Sequence, residues 1–346
     1  MTEPTRFEAD DDLPRELLEQ RICDFRLQIQ GGPLEGIIAR FEAELAAAGI
    51  RRLRPRYYLR DEWGVPDGTV AIAIPFYLAD VRLRSIQARR GVLVEGVDDD
   101  DVLRYLRHEM GHVVNYAYRL HETEEWTRTF GPMGRPYEDD FRAVAFSSDF
   151  VRYLPGSYAQ KHPDDDWAET FAVWMTPGLD WAALYADAPG ALAKLRYVAR
   201  VLGEIGDREP PVVEVELDGD VGELKFTVQE FYDDVEREEV SLPRSLDGDL
   251  RALVAPHGVA PPGAQREEAA ALFLHHRVHL SSAVYRWTGL LPERARALVD
   301  HLTERARTLE LSYLGSEREQ VLCDLACLLA ALAMNHAHTG SYVRGR

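Results

Sequence analysis

Two histidines, His108 and His112, stand four residues apart, with Glu109 directly after the first and Gly111 directly before the second. Around them Val102, Leu103, Leu106, Met110, Val113, Val114, Ala117 and Leu120 make an apolar stripe of helical period, so the pair falls inside a predicted helix. Four residues turn a helix by about 400°, which places the two imidazoles nearly above one another on one face. In that arrangement two imidazoles can share a tetrahedral zinc, with Glu109 beside them to take a proton from water. The spacing alone would arise by chance in roughly 3% of chains of this composition, so the helical context gives it weight. Gly111 removes a side chain and eases backbone approach beside the metal. The plainer alternative is an amphipathic helix carrying two ordinary polar histidines.

A tetrahedral catalytic site needs a third protein ligand and leaves the fourth place to water. The candidates lie in the stretch from Ser157 to Ala172, where Asp165 and Glu169 are four residues apart. They share a face if a helix opens by Pro163. One would bind the ion while the other accepts the N–H of a ligand histidine and orients its ring; the spacing does not choose between them. His162 reads as a capping or surface residue at the helix entrance, and Trp167, Phe171 and Trp174 as core. His275, His276 and His279 form a second cluster without a base glutamate or a third ligand, and read as a polar helix face.

The elements that must position these residues are short and mixed. A helix is predicted over 34–48, ending at Gly49, followed by strand candidates at 56–60, 69–74 and 92–96. The strand at 69–74 could be an edge strand that holds an extended substrate, or a plain core strand. Asp98 to Asp101 offer caps for the histidine-bearing helix and place negative charge at its positive end. Further helices are expected from about Pro163 to Pro177 and over 189–205. Residues 206–211 read as a linker, and the stretch after them as two strands around an Asp-Gly turn. Residues 265–338 read as helical, broken at Pro292 and Gly315. The expected fold class is α+β, with residues 1–206 forming a mixed domain and residues 207–346 a small β element plus a helical bundle.

The charge balance narrows the partners. With 59 acidic against 40 basic residues the net charge is −19, and only three of the cations are lysine: Lys161, Lys194 and Lys225. Such a chain lacks the footprint of a nucleic-acid binder and suits anionic membranes poorly. The acidic runs read as caps and solvated surface, although the run at 164–166 overlaps the proposed site. Three cysteines do not make a disulfide framework; Cys323 and Cys327 are expected to pack as small hydrophobes. The N-terminal residues lack the pattern of a signal peptide, and the longest apolar stretch, near 321–334, is too short to span a bilayer, so a cytoplasmic location is expected.

The motif followed by an acid-x-x-Ala-Glu-x-Phe helix resembles the gluzincin metallopeptidases, including the lethal-factor-like group. The stretches RICDFRLQIQGGPLE, IAIPFYLA, LRHEMGHVVNYAYRL, SYAQKHPDDDWAETFAVW and KLRYVARVL are similar to the bacterial family of putative zinc-binding metallopeptidases, over about residues 14–205. The resemblance implies a zincin-like domain with one zinc ion, His108 and His112 as ligands and Glu109 as general base. It places the third ligand at Asp165, where glutamate is usual, and Glu169 behind a ligand histidine, with Glu169 as the alternative ligand. It also implies that Tyr158 points at the reacting carbonyl, against the plainer reading of a core tyrosine. The expected function is zinc-dependent hydrolysis of peptide or protein substrates. The alternative is an inactive zinc-holding scaffold that acts through its helical C-terminal part, for which a dedicated protein partner is expected.

Overall fold

The structure, a computed structural model, describes residues 14–91, 95–137, 143–144, 146–215, 217–233, 246–255 and 265–343. They divide into two compact units. One takes residues 15–88 and 95–230; the other takes Pro14, residues 89–91 and the described residues from Phe231 onward.

In the first unit, helix α1 (Pro33–Ala47) has Pro33 at its first position and buries Leu34, Ile37, Ile38, Phe41 and Leu45 on one stripe. Strands β1 (Arg56–Arg60) and β2 (Ala71–Pro75) pair in parallel, with Tyr58 opposite Ala73. Every residue of β2 is buried, and its Ala73 N–H is already donated to the Gly64 carbonyl, so this is a core strand. Helix α2 (Val81–Arg90) follows. The third predicted strand, 92–96, lies mostly outside the described residues.

Helix α3 (Asp99–Ala117) carries the histidine motif. The Asp98 carboxylate accepts the Asp101 N–H at its start, and three aspartates occupy its first turn, as the helix dipole favours. Arg107 on α3 donates two hydrogen bonds, of 2.8 and 2.9 Å, to the Glu44 carboxylate on α1 and fixes the two helices together. Helix α4 (Glu124–Phe130), capped by Thr123, leads to a loop. Helix α5 (Pro163–Met175) and helix α6 (Pro189–Ile205) complete this part.

Residues 207–230 depart from the sequence reading. They pack within the first unit and form no hairpin among the described residues. The Glu214 carbonyl accepts the Val70 N–H, and the Val212 N–H goes to the Ala117 carbonyl. Further on, the carbonyls of Leu224 and Phe226 accept the N–H groups of Cys23 and Ile22. Backbone groups that a hairpin would pair with each other are therefore used by neighbouring segments. The turn at Gly219 does form, with φ at +65°.

The second unit holds α7 (Asp247–Leu253), β3 (Arg266–Glu268), α8 (Ala269–His275), α9 (Arg277–Thr288), α10 (Pro292–Thr308), β4 (Ser312–Leu314) and α11 (Arg318–Thr339). Its core gathers Leu250, Phe273, Leu298, Leu302, Tyr313, Leu325 and Leu329. A short antiparallel pair, β3 with β4, sits where the sequence suggested only helix. Taken with its lead-in from Gly315, α11 is long and apolar enough to cross a membrane by length and composition, because the helix continues to Thr339 past the apolar run. Its Val321, Leu325, Leu329, Leu332 and Ala333 are buried in the unit's core. Cys323 and Cys327 are exposed, contrary to the expectation that they pack inside. They fall on the helix face away from that buried stripe.

Candidate metal centre

The centre is built where α3 crosses α5. A Cβ on Gly111 would lie 2.6 Å from the Ala168 Cα and 3.1 Å from its Cβ and carbonyl oxygen, so only glycine allows the two backbones to come this close. The absent side chain therefore admits the α5 backbone: this is the close backbone approach expected of Gly111, with Ala168 as the partner. Trp167 locks the crossing by donating its indole N–H to the Gly111 carbonyl at 2.7 Å. His108 and His112 lie three residues before and one after Gly111, and Asp165 and Glu169 stand in the same relation to Ala168. The crossing thus sets the two pairs against each other.

Among the described residues, His108, His112 and Asp165 are the one group of possible ligands close enough to share an ion. His108 Nε2 and His112 Nε2 are 3.2 Å apart, and Asp165 Oδ1 is 3.8 and 3.7 Å from them. A tetrahedral zinc with bonds of about 2.0–2.1 Å separates its ligand atoms by roughly 3.3–3.4 Å, close to this triangle. The other nitrogen of each ring faces a carboxylate: His108 Nδ1 meets Glu169 Oε1 at 2.9 Å, and His112 Nδ1 meets Asp164 Oδ2 at 2.8 Å. If both Nδ1–H groups donate to these carboxylates, both Nε2 lone pairs point at the same place as Asp165 Oδ1. Three acceptors converging on one point can be joined only by a proton or a metal cation. The second oxygen of Asp165, Oδ2, is buried with no hydrogen-bond partner among the described residues, a cost that a cation bound by this carboxylate would offset. The donor set and its geometry therefore fit zinc.

The surrounding groups hold this arrangement rigidly. Asp164 also accepts hydrogen bonds from Asn115 Nδ2 and the Tyr116 hydroxyl, both at 2.6 Å. Burial pushes its carboxyl up, but His112 and these donors outweigh it and hold it at about 2. Glu169 Oε2 accepts the backbone N–H groups of Tyr153 and Leu154, while burial drives its carboxyl up to about 8. Burial and the neighbouring His112 lower His108 to about 4. Burial also opposes charge on His112, yet Asp164 prevails and raises it to about 10. Glu109 is 5% exposed; burial pushes its carboxyl up, against the pull of His108 and His112. Asp165 is likewise pushed up by burial and pulled down by His112, His108 and Lys161.

Tyr158 lies edge-on to the His108 ring, with centroids 5.4 Å apart. His162 caps α5: its Nδ1 accepts the Asp164 N–H and its Nε2–H donates to the Arg135 carbonyl at 2.8 Å. Tyr137 stacks on the His162 ring at 4.0 Å, and its side chain meets Asp165. The second histidine cluster is split by a helix break at His276, which ends α8 and precedes α9, so His275 and His279 do not share one helix.

The sequence reading missed Asp164, Asn115, Tyr116 and Tyr137. Asp164 and Asp166, in a run read mainly as caps and solvated acid, are buried at 1% and 2% exposure, and Asp165, the expected ligand, at 3%. One signal was available: two ligand histidines need two Nδ1 partners, and α5 carries four acids, Asp164, Asp165, Asp166 and Glu169, more than the one ligand and two partners require.

Residues 67–185 match the family model described as putative zinc-binding metallo-peptidase. The matched span contains the three converging residues, Glu109, Tyr158 and both carboxylates behind the histidines. It is narrower than the stretch over which the sequence resembles that family, and it covers nothing of the second unit from Phe231 onward. Neither the curated proteins nor the solved structures include a significant match to the chain.

Proposed function

We propose that the chain is a zinc-dependent peptidase of the gluzincin type, with one zinc held by His108, His112 and Asp165. The observation that carries this reading is the convergence of three possible ligand atoms 3.2–3.8 Å apart beside the buried Glu109. Bound zinc would polarise a peptide carbonyl and make water acidic enough to attack it near neutral pH. Glu109 takes the proton of the attacking water and passes it to the leaving amine, a transfer suited to a carboxyl that burial has pushed up. Glu169 and Asp164 hold the two imidazoles in the orientation that frees their Nε2 atoms. Tyr158 stabilises the developing oxyanion.

The reading of the shorter aspartate as third ligand is supported by Asp165 Oδ1 lying 3.8 and 3.7 Å from the two Nε2 atoms. The substrate is a peptide or protein, and the second unit serves a protein partner. The test is Glu109→Gln: it is expected to retain about one zinc per chain and to lose peptide hydrolysis. Hydrolysis at the parent rate by that variant would overturn the mechanism. Stoichiometric zinc without activity on any peptide, with a partner retained in pull-downs, would favour the scaffold instead.

A further inference from the structure

Lys161 is one of only three lysines in a chain of net charge −19, and it stands beside the metal centre. Its ammonium lies 5.2 Å above the Tyr158 ring and 5.5 Å above the Tyr137 ring. Tyr158 packs against the ligand His108, and Tyr137 against His162, so the cation is held between two rings anchored at the site. Its backbone is fixed as well: the Lys161 N–H donates to the Tyr158 carbonyl at 3.0 Å, and its carbonyl accepts from Arg135 Nη2 at 3.2 Å.

Ring faces steady a cation but take none of its N–H groups in ordinary hydrogen bonds. Among the described residues the Lys161 ammonium has no ion pair within 4.0 Å and no hydrogen-bond acceptor, and its charge reaches the Asp165 carboxyl only from farther off. Lys194 differs in this respect: its ammonium is used up by the Asp166 carboxylate at 2.6 Å and the Asp149 carbonyl at 2.8 Å. A positioned ammonium with three free donors is the complement of a carboxylate.

We infer that Lys161, held between Tyr137 and Tyr158, selects substrates that carry a carboxylate close to the bond cleaved. The inference rests on the peptidase reading only in calling the ligand a substrate. The carboxylate could be an acidic side chain or a free C-terminus, and the experiment separates the two.

The test measures binding by fluorescence anisotropy to zinc-loaded Glu109→Gln protein, using one labelled hexapeptide in three forms. These are an internal Asp with an amidated end, Asn with an amidated end, and Asn with a free C-terminal carboxylate. At least one carboxylate form is expected to bind roughly tenfold to a hundredfold more tightly than the neutral form, as a charge-assisted hydrogen bond allows. The tighter form identifies the source. Adding Lys161→Met should abolish the difference at unchanged zinc content, while Lys161→Arg should keep part of it. Equal affinity for all three forms, or a preference that survives Lys161→Met, overturns the inference. Carboxylate-dependent binding by a wild-type chain that cleaves none of the peptides supports the inference and counts against the peptidase reading. A chain that takes up no zinc overturns the peptidase reading alone; the three peptides are then compared on the metal-free chain, where the same preference and its loss in Lys161→Met decide the inference.

Discussion

The crossing of α3 and α5 can be tested with one methyl group. In Gly111→Ala the new Cβ would sit 2.6 Å from the Ala168 Cα, where ordinary contact begins at 3.4 Å. The helices must therefore separate by about 3.4 − 2.6 = 0.8 Å. The atom in the way is backbone, so no rotamer change relieves it. Alanine inside a helix is intrinsically better than glycine by about 1 kcal/mol. Overpacking a core typically costs about 1–3 kcal/mol, and a clash with backbone belongs at or above the top of that range. The expected net loss is about 2 kcal/mol, or roughly 4–8 °C in Tm for a unit of this size.

The same displacement reaches the ligands unevenly. The His108–His112 edge lies within one helix and should stay at 3.2 Å. The shortest edge to Asp165, now 3.7 Å, should open to about 3.7 + 0.8 = 4.5 Å, well beyond the roughly 3.4 Å of a tetrahedral site. Zinc affinity should then fall on the order of tenfold to a hundredfold. The assay is a thermal scan of the metal-free protein, followed through the fully buried Trp126 and Trp167, together with zinc competition against a chromophoric chelator. Gly36→Ala is the control: it lies in α1 with nothing within 4 Å of its Cβ position, so it should raise stability by about 0.5–1 kcal/mol. Ala168→Gly should not rescue Gly111→Ala, because the 2.6 Å contact is with Cα. If Gly111→Ala raises Tm as Gly36→Ala does and leaves zinc affinity alone, the reasoning fails.

Two further outcomes follow from the same geometry. Glu169→Gln replaces a buried acceptor of two backbone N–H groups and of His108; it should weaken zinc binding roughly tenfold to a hundredfold, read by the same competition assay, with a loss of Tm in the metal-free protein as well. A chelator should lower the Tm of the zinc-loaded chain, since an ion that binds only the folded state stabilises it by about 4 kcal/mol at a thousandfold excess over Kd; re-addition of zinc should restore it, and a chelator-insensitive Tm would argue against a resident ion.

The local pattern was legible in the sequence wherever one element carried the whole signal. The helix with His108 and His112 followed from its apolar period, the caps at its start from the aspartate run, and the pairing of Asp165 with Glu169 from their spacing. These features depend on a helical turn, which residues three and four apart fix by themselves. The crossing itself was not legible. Gly111 was expected to ease a backbone approach, but a sequence does not show that Ala168 is the residue that approaches. Asp164 looked solvated because its partners, His112, Asn115 and Tyr116, are about fifty residues away. The stretch 212–231 looked like a hairpin because the competing backbone partners, at Ile22, Cys23, Val70 and Ala117, are more remote still. The sequence by itself determined which residues could bind a metal. The tertiary structure decided which acceptors converge, because burial and long-range hydrogen bonds, not propensity, choose among side chains of equal chemistry.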